Sequence, residues 1–254
     1  MCLIAWNWQP QSDTPLLVLS NRDEFYARDT LPLHWWPPAS SGVSLLAGKD
    51  QRAGGTWLGV NNRGWLAALT NFRSPMDMAA DAPSRGALVA SFLAGIQDAR
   101  TYLASLQDQA HHYNGFNLLL YDGVELLGFQ SRDKAILVQP VGVGAVSNAH
   151  FQTPWPKLHK LSQKLQTALQ QGQDSDSQLL ALLKDPERAR DDQLPHTGIG
   201  LERERELSPI FITTPHYGTR ASSLVRIGRT HLEFTEESYD AQGGCGARYQ
   251  RHAW

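Results

Sequence analysis

Two stretches decide the fold: Cys2-Leu3-Ile4-Ala5-Trp6-Asn7-Trp8 and Pro15-Leu16-Leu17-Val18-Leu19-Ser20-Asn21-Arg22-Asp23-Glu24. Residues 2–8 and 15–20 read as two short β-strands, with the polar residues 9–14 as the turn between them. Leu16-Leu17-Val18-Leu19 is apolar at consecutive positions, not alternate ones. Both faces of that strand must therefore be covered. A sheet buried on both sides, beginning at the second residue, sets the architecture that the rest of the chain has to complete.

Strands are predicted next at about 56–60 and 64–71, joined by a turn at Asn61-Asn62-Arg63-Gly64. Residues 25–50 are rich in Pro, Ser and Gly with little periodicity and read as a long surface loop. Ser84 is placed to cap a helix with Leu88, Val89, Phe92, Leu93 and Ile96 on one face. Asp98 is placed to cap a second helix carrying Tyr102, Leu103 and Leu106. Strands recur at about 115–121, 124–131, 135–140 and 143–148. A third helix follows over 155–171, with Leu158, Leu161, Leu165 and Leu169 as its stripe and Gly172 as its stop. A short helix at 177–184 precedes strands at about 199–213, 219–227 and 231–238, and the residues after Gly243 read as a tail (243–254). Short turns between neighbouring strands favour antiparallel pairing. The reading is an α+β protein: two antiparallel sheets face to face, helices outside, one domain over 1–254.

Composition narrows the function. The 254 residues carry 23 Lys plus Arg against 25 Asp plus Glu, a formal net charge of −2. Nothing in that balance attracts nucleic acid. The apolar share of 41% supplies a sizeable core and excludes a disordered chain. No stretch approaches the ~20 apolar residues of an integral membrane segment, and the opening apolar run has no basic flank of a signal peptide. Cys2 and Cys245, the two cysteines, make neither a disulfide framework nor a metal site, so a reducing, cytoplasmic compartment is expected.

Several motifs fail on inspection. Gly42-Val43-Ser44-Leu45-Leu46-Ala47-Gly48-Lys49-Asp50 approximates a phosphate loop, but five residues separate its glycines and Asp50 stands where Ser or Thr is required. Gly142-Val143-Gly144 lacks the third glycine of a dinucleotide fingerprint. Trp35-Trp36 reads as part of a Pro-rich hydrophobic flap.

Cys2 is the informative residue. A small second residue permits removal of Met1, leaving a thiol and a free α-amine on one residue. An α-amine has a reference pKa of roughly 7.7–8.0 and can serve as a base near neutrality. Arg22, Asp23 and Glu24 close the hairpin beside it, where a guanidinium can lower the thiol pKa and a carboxylate can hold the amine. Asn71 and Asn148 each end an apolar strand and are candidate oxyanion donors. Arg220 is a second guanidinium at the start of a strand.

Cys2, Asn21-Arg22-Asp23-Glu24, Gly54-Gly55-Thr56-Trp57-Leu58-Gly59-Val60, Leu69-Thr70-Asn71-Phe72-Arg73 and Tyr217-Gly218-Thr219-Arg220 together resemble the NRDE family, also called the transport and Golgi organisation protein 2 family, with its haem-trafficking relatives. The matches run from residue 2 to about 226. The resemblance implies a four-layer α-β-β-α sandwich of the N-terminal nucleophile hydrolase type, similar to the bile-salt hydrolase and penicillin V acylase group. It implies a site of Cys2, Arg22, Asp23 or Glu24, Asn71, Asn148 and Arg220, with Asn21, Trp36 and Trp57 contacting the ligand. The implied activity is hydrolysis of a C–N amide bond in a small acylated substrate, needing no cofactor and no metal. The alternative it implies is a carrier for haem or acyl-CoA in the same cleft, with Cys2 as a candidate haem ligand. Nothing in the sequence sets an oligomeric state.

Overall fold

A computed structural model describes residues 2–38, 40–75 and 79–254. Met1, on whose removal the α-amine chemistry depends, lies outside the described residues.

The opening hairpin forms as its apolar pattern requires. β1 (Cys2–Trp8) pairs antiparallel with β2 (Leu16–Phe25), Cys2 opposite Arg22 and Trp8 opposite Leu16. β2 runs five residues beyond its predicted end, carrying Asn21, Arg22, Asp23 and Glu24 in extended conformation. β3 (Thr30–Trp35), β4 (Leu45–Asp50), β5 (Leu58–Asn61), β6 (Leu66–Asn71), β7 (Phe116–Tyr121), β8 (Leu126–Gln130) and β9 (Ala135–Val138) form, in that order, a seven-stranded antiparallel sheet. The hairpin joins β10 (Gly142–Val146), β11 (Tyr217–Ile227), β12 (His231–Asp240) and β13 (Gly243–Ala253) in a six-stranded antiparallel sheet of order β10-β1-β2-β11-β12-β13.

Three apolar layers hold the sheets and helices together. Between the sheets lie Ile4, Trp6, Trp8, Leu16 and Val18 from the first sheet against Leu46, Leu58, Val60, Leu66 and Leu119 from the second. Outside the second sheet, α1 (Gly86–Ala94) and α2 (Ala99–Gln109) cover Ala67, Leu69, Leu118 and Leu120 with Val89, Phe92, Leu103 and Leu106. Outside the first, α3 (Pro156–Gln170) and α4 (Asp176–Leu182) cover Leu3, Ala5, Leu17 and Leu19 with Leu158, Leu161, Leu165 and Leu179. The result is helix, sheet, sheet, helix. Each fully buried side chain of this size contributes roughly 1.5–3 kcal/mol. The indole of Trp6 fits because β10 offers a glycine opposite it: a Cβ on Gly144 would stand 2.3 Å from the ring.

Asp98 caps α2 as expected, accepting from the Thr101 N–H at 2.8 Å. Five expectations fail. Ser84 does not cap α1: the N-cap position is Arg85, and no side chain caps the helix. The region 25–50 is not one loop: it contains β3 and β4, whose pairing is broken by a register shift between Leu31 and His34. That irregularity hides the strand period, and Trp35 is thereby a strand residue, not part of a flap. Residues 199–213 are not a strand: α5 (Leu201–Glu206) forms there, stabilised by Arg203–Glu206 and Arg205–Glu202 pairs one turn apart. The tail after Gly243 is β13, an edge strand exposed along most of its length and held to β12 by the backbone ladder. Such a strand has no apolar alternation to read. Ile96 lies past the end of α1 and is exposed.

Candidate functional site

The alternation of β1 and β2 aims Cys2 and Arg22 at the space between the sheets, near its open end. A cavity of about 460 Å³ opens there, with Cys2, Arg22, Asp23, Glu24, Trp57 and Asn71 among its lining residues.

Arg22 is 5% exposed and held on two sides. Its guanidinium lies 4.4 Å from the centroid of the Trp57 ring, and its Nη2 donates to Asp50 Oδ2 at 3.2 Å. Glu24 Oε2 is 4.0 Å from the same nitrogen. Among the described residues, Nη1 has no hydrogen-bond partner. Trp57 reaches this position because Gly48 leaves room: a Cβ there would stand 2.4 Å from the indole. Asp50 also accepts from Arg28 Nε at 2.6 Å and from the N–H groups of Arg52 and Ala53. Burial raises the Asp50 pKa, but these donors outweigh it and hold the carboxyl below its ordinary value.

Cys2 is 6% exposed. Burial pushes its thiol pKa up, and the nearby Arg22 charge opposes that shift.

Asp23 points to the other side of β2, towards the base of α3. It accepts from Thr219 Oγ1 at 2.8 Å, and Lys157 Nζ lies 3.9 Å from its Oδ2. Both members of this pair are buried. Burial raises the Asp23 pKa, against the pull of Lys157. Burial likewise lowers Lys157 to about 8, against the pull of Asp23. A second buried ion pair, Arg73–Glu204 at 2.5 Å, lies beside it, with Arg73 over the Trp155 ring.

The two asparagines differ. Asn71, at the end of β6, lines the cavity. Asn148 is fully buried and lies behind it: its Nδ2 donates to the Asn71 carbonyl at 2.9 Å. Ser147 Oγ bridges Asn148 Oδ1 (3.3 Å) and the Cys2 carbonyl (3.4 Å). Asn148 therefore braces the strand ends around Cys2 and Asn71.

Three expected site residues lie elsewhere. Asn21 alternates with Arg22 and faces the helices, donating to the Leu183 and Ile210 carbonyls at 2.8 Å and accepting from Ser222 Oγ. Arg220 spends its guanidinium on the carbonyls of Phe25, Tyr26, Arg28 and Tyr239, pinning the turn after β2. Trp36 packs with the outer layer of the second sheet and donates from Nε1 to the Ala47 carbonyl at 3.1 Å. Conversely, Asp50, Arg85 and Lys157 belong to the site or its support and were not anticipated. For Lys157 a signal existed: it precedes Leu161 and Leu165 at intervals of four, on the apolar stripe of α3. Among the described residues, no cluster of three or more His, Cys, Asp or Glu is arranged to hold a metal ion, and no helix is long and apolar enough to cross a membrane.

The family model for Transport and Golgi organisation 2 matches residues 1–241. This chain belongs to that family. The Transport and Golgi organization protein 2 homolog of Bos taurus is 33% identical over 261 residues, covering 94% of this chain and 93% of the relative. The Drosophila melanogaster Transport and Golgi organization protein 2 is 27% identical over 283 residues, covering 94% and 92%. Among solved structures, a cysteine-to-alanine mutant of the conjugated bile acid hydrolase from Clostridium perfringens superposes with a TM-score of 0.59 at 10% identity, covering 98% of this chain and 92% of that one. An arginine-to-leucine variant of the same hydrolase gives 0.51 at 10% identity, covering 100% and 97%. At that identity the likeness shows the fold alone: this member of the Transport and Golgi organisation 2 family shares the helix-sheet-sheet-helix fold of that hydrolase.

Proposed function

We propose that this protein hydrolyses a C–N amide bond in a small acylated substrate, with Cys2 as nucleophile. One observation carries the reading: Cys2 stands directly opposite Arg22 in the β1–β2 ladder, on the wall of a charged cavity. In the proposed reaction, removal of Met1 frees the Cys2 α-amine. The amine accepts the thiol proton as Sγ attacks the carbonyl carbon, and it delivers that proton to the departing amine as the C–N bond breaks. Water then attacks the thioester, releasing the acid and restoring the thiol. Asp23 orients the α-amine, with Lys157 behind it. Asn71 serves as an oxyanion donor, a role worth about 3 kcal/mol for one such donor. Asn148 supports Asn71, and Arg220 supports the turn that carries Arg28. No cofactor enters the scheme.

A panel of acylated amines tests the reading. Hydrolysis should appear only in protein whose intact mass lacks Met1. Cys2→Ala should reduce it by about 10³-fold or more while melting stays cooperative. An unchanged rate in that variant overturns the mechanism. The carrier reading has less support here, because guanidinium and carboxylate groups crowd the cavity wall and Trp36 lies away from it. Haem titration separates the two readings: a Soret band lost in Cys2→Ala, without any amide turnover, would favour the carrier.

A further inference from the structure

Among the described residues that line the cavity, the charges do not balance, and the surplus has a location. Asp50 and Glu24 face Arg22 and Arg28, and Asp23 faces Lys157. Two further lining arginines, Arg52 and Arg85, have no carboxylate within ion-pair distance among the described residues. Arg85 stands just before α1, half-buried. One of its nitrogens, Nη1, donates to the Gly115 carbonyl at 3.0 Å, leaving the rest of the fork for another partner. Burial disfavours its charge, and the groups that interact with it are Cys2, Glu24 and the like-charged Arg28. Arg22, 5% exposed, lines the same cavity, and its buried Nη1 has no hydrogen-bond partner among the described residues. Four lining guanidiniums, Arg22, Arg28, Arg52 and Arg85, share this space with three described lining carboxylates, Asp23, Glu24 and Asp50, and a half-buried Arg85 with no carboxylate beside it is costly unless an anion joins it.

We propose that this cavity is selective for anions. On the hydrolytic reading above, on which this step rests, the substrate is an acylated amide carrying a carboxylate or phosphate close to the scissile bond. Arg85 and Arg52 bind that group and determine specificity, while Arg22 lies deeper, beside the nucleophile. A neutral amide of the same size leaves Arg85 desolvated and unpaired and is rejected.

The test needs neither a known substrate nor turnover. Cys2 is alkylated with iodoacetate, an anion, and with the neutral isostere iodoacetamide, in protein whose exposed Cys245 is replaced by Ser. Both reagents meet the same thiolate fraction, so the ratio of their rates reads the attraction for negative charge alone. The reference is Cys245 in Cys2→Ser protein. The iodoacetate-to-iodoacetamide ratio is expected to be about 10-fold higher at Cys2, a margin that shrinks with added salt. Arg85→Leu should reduce it several-fold. Arg85→Lys, which keeps the charge, should retain most of it, and Arg52→Gln, at an exposed position, should lower it with the fold undisturbed. Acetate and inorganic phosphate should each protect Cys2 from iodoacetate, and the better protector names the preferred group. A ratio at Cys2 no greater than at Cys245, or one indifferent to both Arg85→Leu and Arg52→Gln, overturns the proposal. Anion selectivity without hydrolysis of any anionic amide would keep the binding site and discard the hydrolase.

Discussion

The four central strands of the first sheet present two different ends to the space between the sheets. At one end the rungs read Trp8, Leu16, Ile227, Leu232 and then Trp6, Val18, Val225, Phe234. The next rung reads Ile4, Ser20, Ser223, Glu236, and the last reads Cys2, Arg22, Ala221, Ser238. Side-chain direction and strand pairing are the same at both ends. Hydrocarbon gives way to polar and charged groups within two rungs, roughly 13–14 Å along the strands. The contrast shows how a fold of this kind separates its tasks. The aromatic end supplies cohesion between the sheets and lets the polar end keep groups that oppose burial.

That division can be tested from both ends. The largest effect should come from Lys157→Met, which leaves Asp23 buried without its lysine and should cost roughly 3–5 kcal/mol in urea denaturation. Adding Asp23→Asn should recover most of that loss; a single-variant loss below about 1 kcal/mol would show that the pair does not brace the polar end. The pH dependence has a definite sign. Lys157 is held at about 8 in the folded protein against 10.5 ordinarily, so between those values the unfolded chain binds more protons. Wild-type stability should therefore gain a component that rises with pH across that window, absent from the Met variant.

At the aromatic end, Trp6→Ala should cost about 3–5 kcal/mol while leaving the iodoacetate-to-iodoacetamide ratio of Cys2 unchanged. A changed ratio would mean the two ends are coupled, contrary to the division drawn here.

Glu236 offers the finest probe, because it is a carboxyl at the boundary rung. Its Oε1 accepts from the Leu33 N–H at 2.8 Å, and burial raises its pKa to about 7 from 4.5. The native state then holds its proton between those values and the unfolded chain does not, so the contribution is present below the lower one and lost as pH rises through the upper. Glu236→Gln keeps the acceptor and removes the titration. It should stabilise the protein at pH 8 by up to about 3 kcal/mol and change little at pH 4. Equal effects at both pH values would place the carboxyl in a better-solvated setting.

Sequence reading succeeds where the signal is local. The hairpin, the stripe of α3 and the Asp98 cap are each contained within a few residues, and Cys2, Arg22, Trp57 and Asn71 fall within short motifs at strand ends. It fails where a role depends on distant chain. Arg85 acquires its place from the packing of α1 beside β5, and Asp50 ends a strand whose pairing is irregular. Arg220 carries a suggestive charge, but its partners are four carbonyls that only the folded turn brings together. Asn21 could have been assigned correctly: the two-residue period of β2 puts it on the face opposite Arg22, whatever motif both belong to.

Gly48 and Gly144 each stood in a stretch that approximated a nucleotide-binding loop, and each proves to be an indentation for an indole, Trp57 in one case and Trp6 in the other. The two hollows act on opposite ends of the division described above. A methyl group added at Gly144 would disturb the greasy anchor. One added at Gly48 would tilt the plate beneath Arg22, moving a charge next to the sulfur without altering any residue that touches it. Such second-hand control is invisible to a catalogue of wall-lining side chains, and it makes the plain backbone hydrogen of Gly48 as consequential for the chemistry as many of the functional groups around it.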